Sequence, residues 1–102
     1  MKTPEGYEKD DICKYLKSIG AWYVRVNSAG FGHSGTPDIV ACLNGDFWGI
    51  EVKRPGKEPT ALQMTRMKQI AAAGGHVTWG TAPKVIMEIQ RWLSRTHASE
   101  LL

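Results

Sequence analysis

The dipeptide Asn44-Gly45 stands between two runs of strand-forming residues, 38–43 and 46–53. A two-residue type I′ turn needs positive φ at both central positions, which Asn and Gly accept at least cost, so the pair predicts a β-hairpin. With Asn44 and Gly45 at its centre, Leu43 pairs with Asp46, and counting outward sets Asp38 directly opposite Glu51. Directly opposed residues hold their Cβ atoms roughly 4.5–5.5 Å apart, and like charges placed there repel. A hairpin that keeps such a pair must protonate one acid, expose both to water, or hold a cation between them. Lys53 lies two residues beyond Glu51 on the same face, whereas Trp48, Ile50 and Val52 point the other way, into a core. Gly49 leaves room beside Glu51, and Pro37 fixes the backbone just ahead of Asp38. The rest of the hairpin is apolar, so its acids stand out from a buried element.

The remaining chain supplies the elements that such a hairpin needs to become a domain. Residues 5–19 carry Ile12, Tyr15, Leu16 and Ile19 at helical spacing and stop at Gly20. Residues 21–27 alternate, with Trp22, Val24 and Val26 on one face and Tyr23, Arg25 and Asn27 on the other, which predicts a strand. The stretch 28–37 is a glycine-rich loop. Thr60 opens a helix to about residue 73, closed by Gly74-Gly75. A strand follows over 76–80 and a last helix over 82–95, with Pro83 in its first turn. The order α-β-ββ-α-β-α predicts an α/β domain, a mixed sheet with helices packed on it. At 102 residues the chain is one domain, 1–102.

Composition excludes several classes. Hydrophobic residues at 42% and charged residues at 23% rule out wholesale disorder. No run of 18 apolar residues is present, and the polar N-terminus lacks a signal-peptide core, so a cytoplasmic protein that enters no membrane is expected. Cys13 and Cys42 read as small buried side chains, and with three scattered His they show no zinc-ligand spacing. Thirteen Lys and Arg against ten Asp and Glu give a net charge of +3. Between Lys53 and Arg95 the acids are only Glu58 and Glu88, a distribution that suits a phosphate backbone. The nine aromatics read mostly as core, without the spacing of a base-stacking sheet.

Pro37-Asp38, twelve intervening residues, then Glu51-Val52-Lys53 resembles the pattern of the PD-(D/E)XK nuclease superfamily. The longer run GTPDIVACLNGDFWGIEVKRPGKEPTALQ is similar to its compact, free-standing, phage-type VRR-NUC (virus-type replication–repair nuclease) branch, and the likeness spans roughly residues 5–80. The resemblance implies a restriction-endonuclease-like core and divalent-metal-dependent hydrolysis of phosphodiester bonds in DNA, with Mg²⁺ or Mn²⁺ as cofactor. Asp38, Glu51 and the backbone carbonyl of Val52 are then the expected metal ligands, since Mg²⁺ takes hard oxygen donors. Lys53 would orient or help deprotonate the attacking water, or balance the charge of the transition state. An acid of the first helix joins the site in that family. Glu8 is the expected one, at the spacing of Ile12 and Tyr15, with Glu5 and Asp11 as alternatives and a plain preference of acids for a helix start as the ordinary explanation.

Gln63 has two readings: the far end of a capping box begun by Thr60, or a catalytic-side residue touching water or phosphate. Arg25, Asn27 and Ser28 lead into the glycine-rich loop and are expected on DNA, as are the basic residues Arg54, Lys57, Arg66 and Lys68. Phe31 is a candidate wedge, and His33 reads as an ordinary loop residue. No sequence-reading module is present, so shape recognition is expected. A homodimer cutting branched DNA, in the manner of a Holliday junction resolvase acting in replication or repair, follows from the resemblance. Ile86, Ile89, Trp92 and Leu93 are either its dimer face or plain core. The rival expectation is a catalytically silent module that binds DNA or a protein partner on the same fold.

Overall fold

A computed structural model describes residues 2–26 and 34–101, with side chains through Thr96. The elements run α1 (Pro4–Ser18), β1 (Trp22–Arg25), β2 (Ile39–Leu43), β3 (Asp46–Val52), α2 (Ala61–Ala72), β4 (His76–Gly80) and α3 (Ala82–Leu101). The strands form one sheet in the order β1-β2-β3-β4. The first three pair antiparallel, and β4 lies parallel to β3 after the α2 crossover. The α/β architecture is the one the sequence predicts.

Local chemistry sets the boundaries. Thr3 caps α1 by accepting a hydrogen bond from the Gly6 amide at 3.0 Å, and Pro4 takes the first helical position. Asn44 and Gly45 adopt φ of 50° and 87°, as a type I′ turn requires. Leu43 accordingly pairs with Asp46 and Ile39 with Ile50. The ladder continues past the regular strands, since the Val26 amide donates to the Asp38 carbonyl at 2.7 Å and the Lys53 amide to the Gly80 carbonyl at 2.9 Å. α3 runs on to Leu101 rather than stopping near residue 95, because no Gly or Pro after Pro83 interrupts it.

One face of the sheet carries Ile39, Ala41, Leu43, Trp48, Ile50 and Val52, buried against Ile12 and Leu16 of α1 and Val85 and Ile89 of α3. At about 1.5–3 kcal/mol for each large aliphatic side chain removed from water, this single cluster is the main source of stability. Ile86, Trp92 and Leu93, partly buried, pack against it beside the buried Ile89, whereas Met87 of α3 is exposed.

The opposite face is covered unevenly. α2 packs on β3 and β4 and leaves β1 and β2 open. Expectations of burial are corrected there at Trp22, which is 67% exposed, at Phe47 and at Cys42, and on α1 Tyr7 is exposed as well. The apolar half of β1 points away from α1 and α3, and it is Tyr23 that packs toward the core. Alternation located the two faces of that strand but not which of them a helix covers. Gly49 also differs in its role. A Cβ there would meet Ile70 Cδ1 at 3.0 Å and Pro37 Cγ at 3.1 Å, so the bare position seats α2 on the sheet instead of leaving space beside Glu51.

Candidate active site

Asp38 sits immediately before β2, behind the buried Pro37, and Glu51 near the end of β3. Both belong to the sheet face that α2 covers. Asp38 Oδ2 accepts the Val52 amide at 2.8 Å, and its Oδ1 lies 3.5 Å from the ammonium of Lys9 on α1. Glu51 is 1% exposed. Its Oε1 accepts a hydrogen bond from Gln63 Nε2 at 3.0 Å, with the Lys53 ammonium 3.9 Å away. Its Oε2 is buried and has no hydrogen-bond partner.

That environment opposes ionisation of Glu51. Burial pushes its pKa from the ordinary 4.5 up to about 8; the Asp38 carboxyl, near enough to accept a hydrogen bond from the protonated acid, adds to the rise both by that bond and by its charge, and Glu5 contributes further. Lys53 acts in the opposite direction. A buried carboxylate oxygen left without a partner is costly unless a proton or a cation meets it. Two adjoining carboxyl groups with one bare oxygen therefore fit a small hard cation. Mg²⁺ commonly takes only one or two protein carboxylates, completing its octahedron with water and phosphate oxygens. The fit rests on this pair, because among the described residues no three Asp, Glu, His or Cys side chains cluster as a metal site on their own.

The helix acids divide their tasks differently from the expectation. Glu8 Oε2 accepts the Ala82 amide at the start of α3, so its carboxylate meets the positive end of a helix. Glu5, one of the two alternatives, is the α1 acid whose charge is felt at Glu51. Asp11 is exposed. The capping-box reading of Gln63 holds, and the same side chain also reaches Glu51. Its Oε1 accepts the Thr60 amide at 2.8 Å, its backbone amide donates to Thr60 Oγ1 at 3.2 Å, and its Nε2 reaches Glu51.

Lys53, Arg54 and Lys57 line an open cleft of about 470 Å³ shared with Glu5 and Thr60. Val52 is wholly buried, with its amide committed to Asp38. The other basic candidates spread apart. Arg25 forms an exposed ion pair with Asp10 at 2.7 Å. Arg66 Nε donates to the Ser34 carbonyl at 2.9 Å and Nη1 to Gln69 Oε1 at 3.1 Å, bracing the end of the glycine-rich loop against α2. Lys68 is exposed on α2. Asn27, Ser28, Phe31 and His33 lie outside the described residues.

Sequence reasoning missed Lys9. The signal was its spacing from Glu5: residues four apart share a helix face, so a helix that turns Glu5 toward Glu51 also turns Lys9 toward the hairpin.

No family model and no curated protein sequence matches this chain. Among solved structures it is similar to one titled "VRR_NUC domain", with a TM-score of 0.74 and 22% sequence identity, covering 87% of this chain and 96% of that one. At this identity the likeness speaks for architecture alone: the chain has the α/β fold of a VRR_NUC domain.

Proposed function

We propose that this protein is a divalent-metal-dependent DNA endonuclease whose active site is built on Asp38, Glu51 and Lys53. The observation that carries the reading is the unpartnered Glu51 Oε2, buried beside the Asp38 carboxyl with an ammonium and an amide at hand. Asp38, Glu51 and the Val52 carbonyl are the groups that would hold Mg²⁺ or Mn²⁺. Bound there, the ion supplies Lewis acidity toward the scissile phosphate and a water of lowered pKa. Gln63 holds Glu51 in place from one side. Lys53, half-buried at the mouth of the cleft, is placed to orient the attacking water or to offset negative charge building on the phosphate. Arg54 and Lys57 extend positive charge along the cleft for the flanking phosphates.

Branched DNA, the four-way junction in particular, is the proposed substrate class, and a homodimer the proposed form, as in Holliday junction resolution during replication or repair. A two-fold pair of a small chain presents two sites to two strands. The surface proposed for that contact is the open half of the sheet, where Trp22, Val24 and Phe47 are exposed. Among the described residues no helix is long and apolar enough to cross a membrane.

The test is incubation with supercoiled, linear and four-way-junction DNA in Mg²⁺, in Mn²⁺ and in chelator. Ion-dependent cleavage with preference for the junction supports the proposal. Binding without cleavage in any ion selects a silent module on the same fold.

A further inference from the structure

The two carboxyl groups of the site differ in how their charge is met. Both oxygens of Asp38 have a partner: Oδ2 has the Val52 amide, and Oδ1 has the Lys9 ammonium at 3.5 Å. Glu51 has a donor only at Oε1. The demand for positive charge at the hairpin is thus already answered on the Asp38 side, and answered by a side chain rather than an ion. Lys9 is on α1, one turn after Glu5, and its side chain is about three-quarters buried between helix and hairpin.

Asp38 Oδ2 already accepts the Val52 amide, so Oδ1 is the oxygen more open to an ion shared with Glu51. That oxygen is the one Lys9 faces. A cation and an ammonium at one oxygen repel, so an ion bound there favours withdrawal of Lys9. Its unbranched stem and partial exposure allow that without moving α1. Resting on the metal-centre reading above, we infer that Lys9 is a built-in counter-ion that holds Asp38 in the ion-free protein and competes with the divalent ion for it. Lys9 thereby sets the concentration at which the site loads.

The size of the effect follows from occupancy. When the binding-competent state is a fraction f of the population, the apparent Kd is the intrinsic Kd divided by f; a Lys9 contact kept about nine-tenths of the time weakens binding about tenfold. Lys9 is a positioning residue here. Unlike a merely structural contact, it makes ion binding weaker, and its removal makes ion binding tighter.

The experiment is a calorimetric titration of the full chain with Mn²⁺ in the absence of DNA, paired with the rise of Tm on adding Mn²⁺. The variants are Lys9→Met and Lys9→Gln, with Lys14→Met, exposed on the same helix, reporting the general effect of losing one positive charge. Both Lys9 variants are expected to half-saturate at Mn²⁺ concentrations about three- to tenfold below wild type, with Lys14→Met within about twofold of it. Folded Lys9 variants that bind Mn²⁺ no more tightly than wild type, or a Lys14→Met shift as large as theirs, would overturn the inference while leaving the metal centre standing. Absence of Mn²⁺ binding at millimolar concentration in the wild type and both Lys9 variants would overturn the metal centre itself, and this inference with it.

Discussion

Asp38 and Val52 are joined across the hairpin by a hydrogen bond of 2.8 Å from the Val52 amide to Asp38 Oδ2. This bond orients the remaining oxygen of Asp38 toward α1 and holds the end of β3, and so Glu51 and Lys53, against the start of β2. It gives the aspartate a structural role beside the proposed chemical one, and the two separate by mutation.

Asp38→Asn keeps an acceptor for the Val52 amide, whereas Asp38→Ala leaves that amide bare at a cost of about 1–3 kcal/mol. Both variants, and Lys53→Ala, are expected to lose DNA cleavage by at least about 10²-fold. Only Asp38→Ala should also lower Tm markedly. Nicking of supercoiled DNA alongside thermal melts followed by circular dichroism checks this, and full activity in Asp38→Asn would remove Asp38 from the chemistry.

The raised pKa of Glu51 makes ion-free stability depend on pH. The folded state favours the protonated acid more than the unfolded chain does, so this stabilisation is complete below about 4.5 and is lost as the pH rises through about 8. Tm measured in chelator should therefore fall across that window relative to Glu51→Gln, which has no such proton to lose. Mn²⁺, by meeting the charge, should flatten the wild-type curve.

Glu8 and Glu5 should separate by what each supports. Glu8→Gln weakens a charged contact to the first amide of α3 and is expected to cost about 1 kcal/mol in chemical denaturation, with little change in Mn²⁺ affinity. Glu5→Gln should barely change stability but should shift Mn²⁺ binding, since its charge reaches Glu51. The reverse pattern would return Glu8 to the ion.

Gly49→Ala should destabilise the protein by about 1–3 kcal/mol, because its methyl group meets Ile70 Cδ1 and Pro37 Cγ at near-contact distances. Ile70→Val removes the Cδ1 atom. In the double variant part of the loss should be recovered, a coupling that a double-mutant cycle measures directly.

Much of this architecture was legible because each element carried its own punctuation. Asn44-Gly45 sets the hairpin register, and the structure follows it out to Ile39–Ile50, the pair next to Asp38 and Glu51. Thr60 and Gln63 announced the start of α2 by side chains that bond to each other's backbone. What was not legible depends on distance in space. Alternation in β1 cannot say that α2 stops short of it, so Trp22 and Cys42 read as buried. Glu8 lay on the core-facing stripe as expected, but only the three-dimensional meeting of α1 with the start of α3 shows which group its carboxylate serves. Lys9 had only its four-residue spacing from Glu5 to mark it, and its place beside Asp38 follows from the packing of a helix against a hairpin distant in the chain.

The amide of Gln63 has a single orientation that suits both of its neighbours. Its oxygen faces the Thr60 N–H and its nitrogen faces a glutamate oxygen, so turning it over would set donor against donor and acceptor against acceptor. Gln63 cannot turn toward a new partner and keep both bonds, so the first turn of α2 tethers one oxygen of Glu51 to the helix that covers it. A change that loosens that turn, even one well away from the hairpin, therefore reaches the buried acid directly.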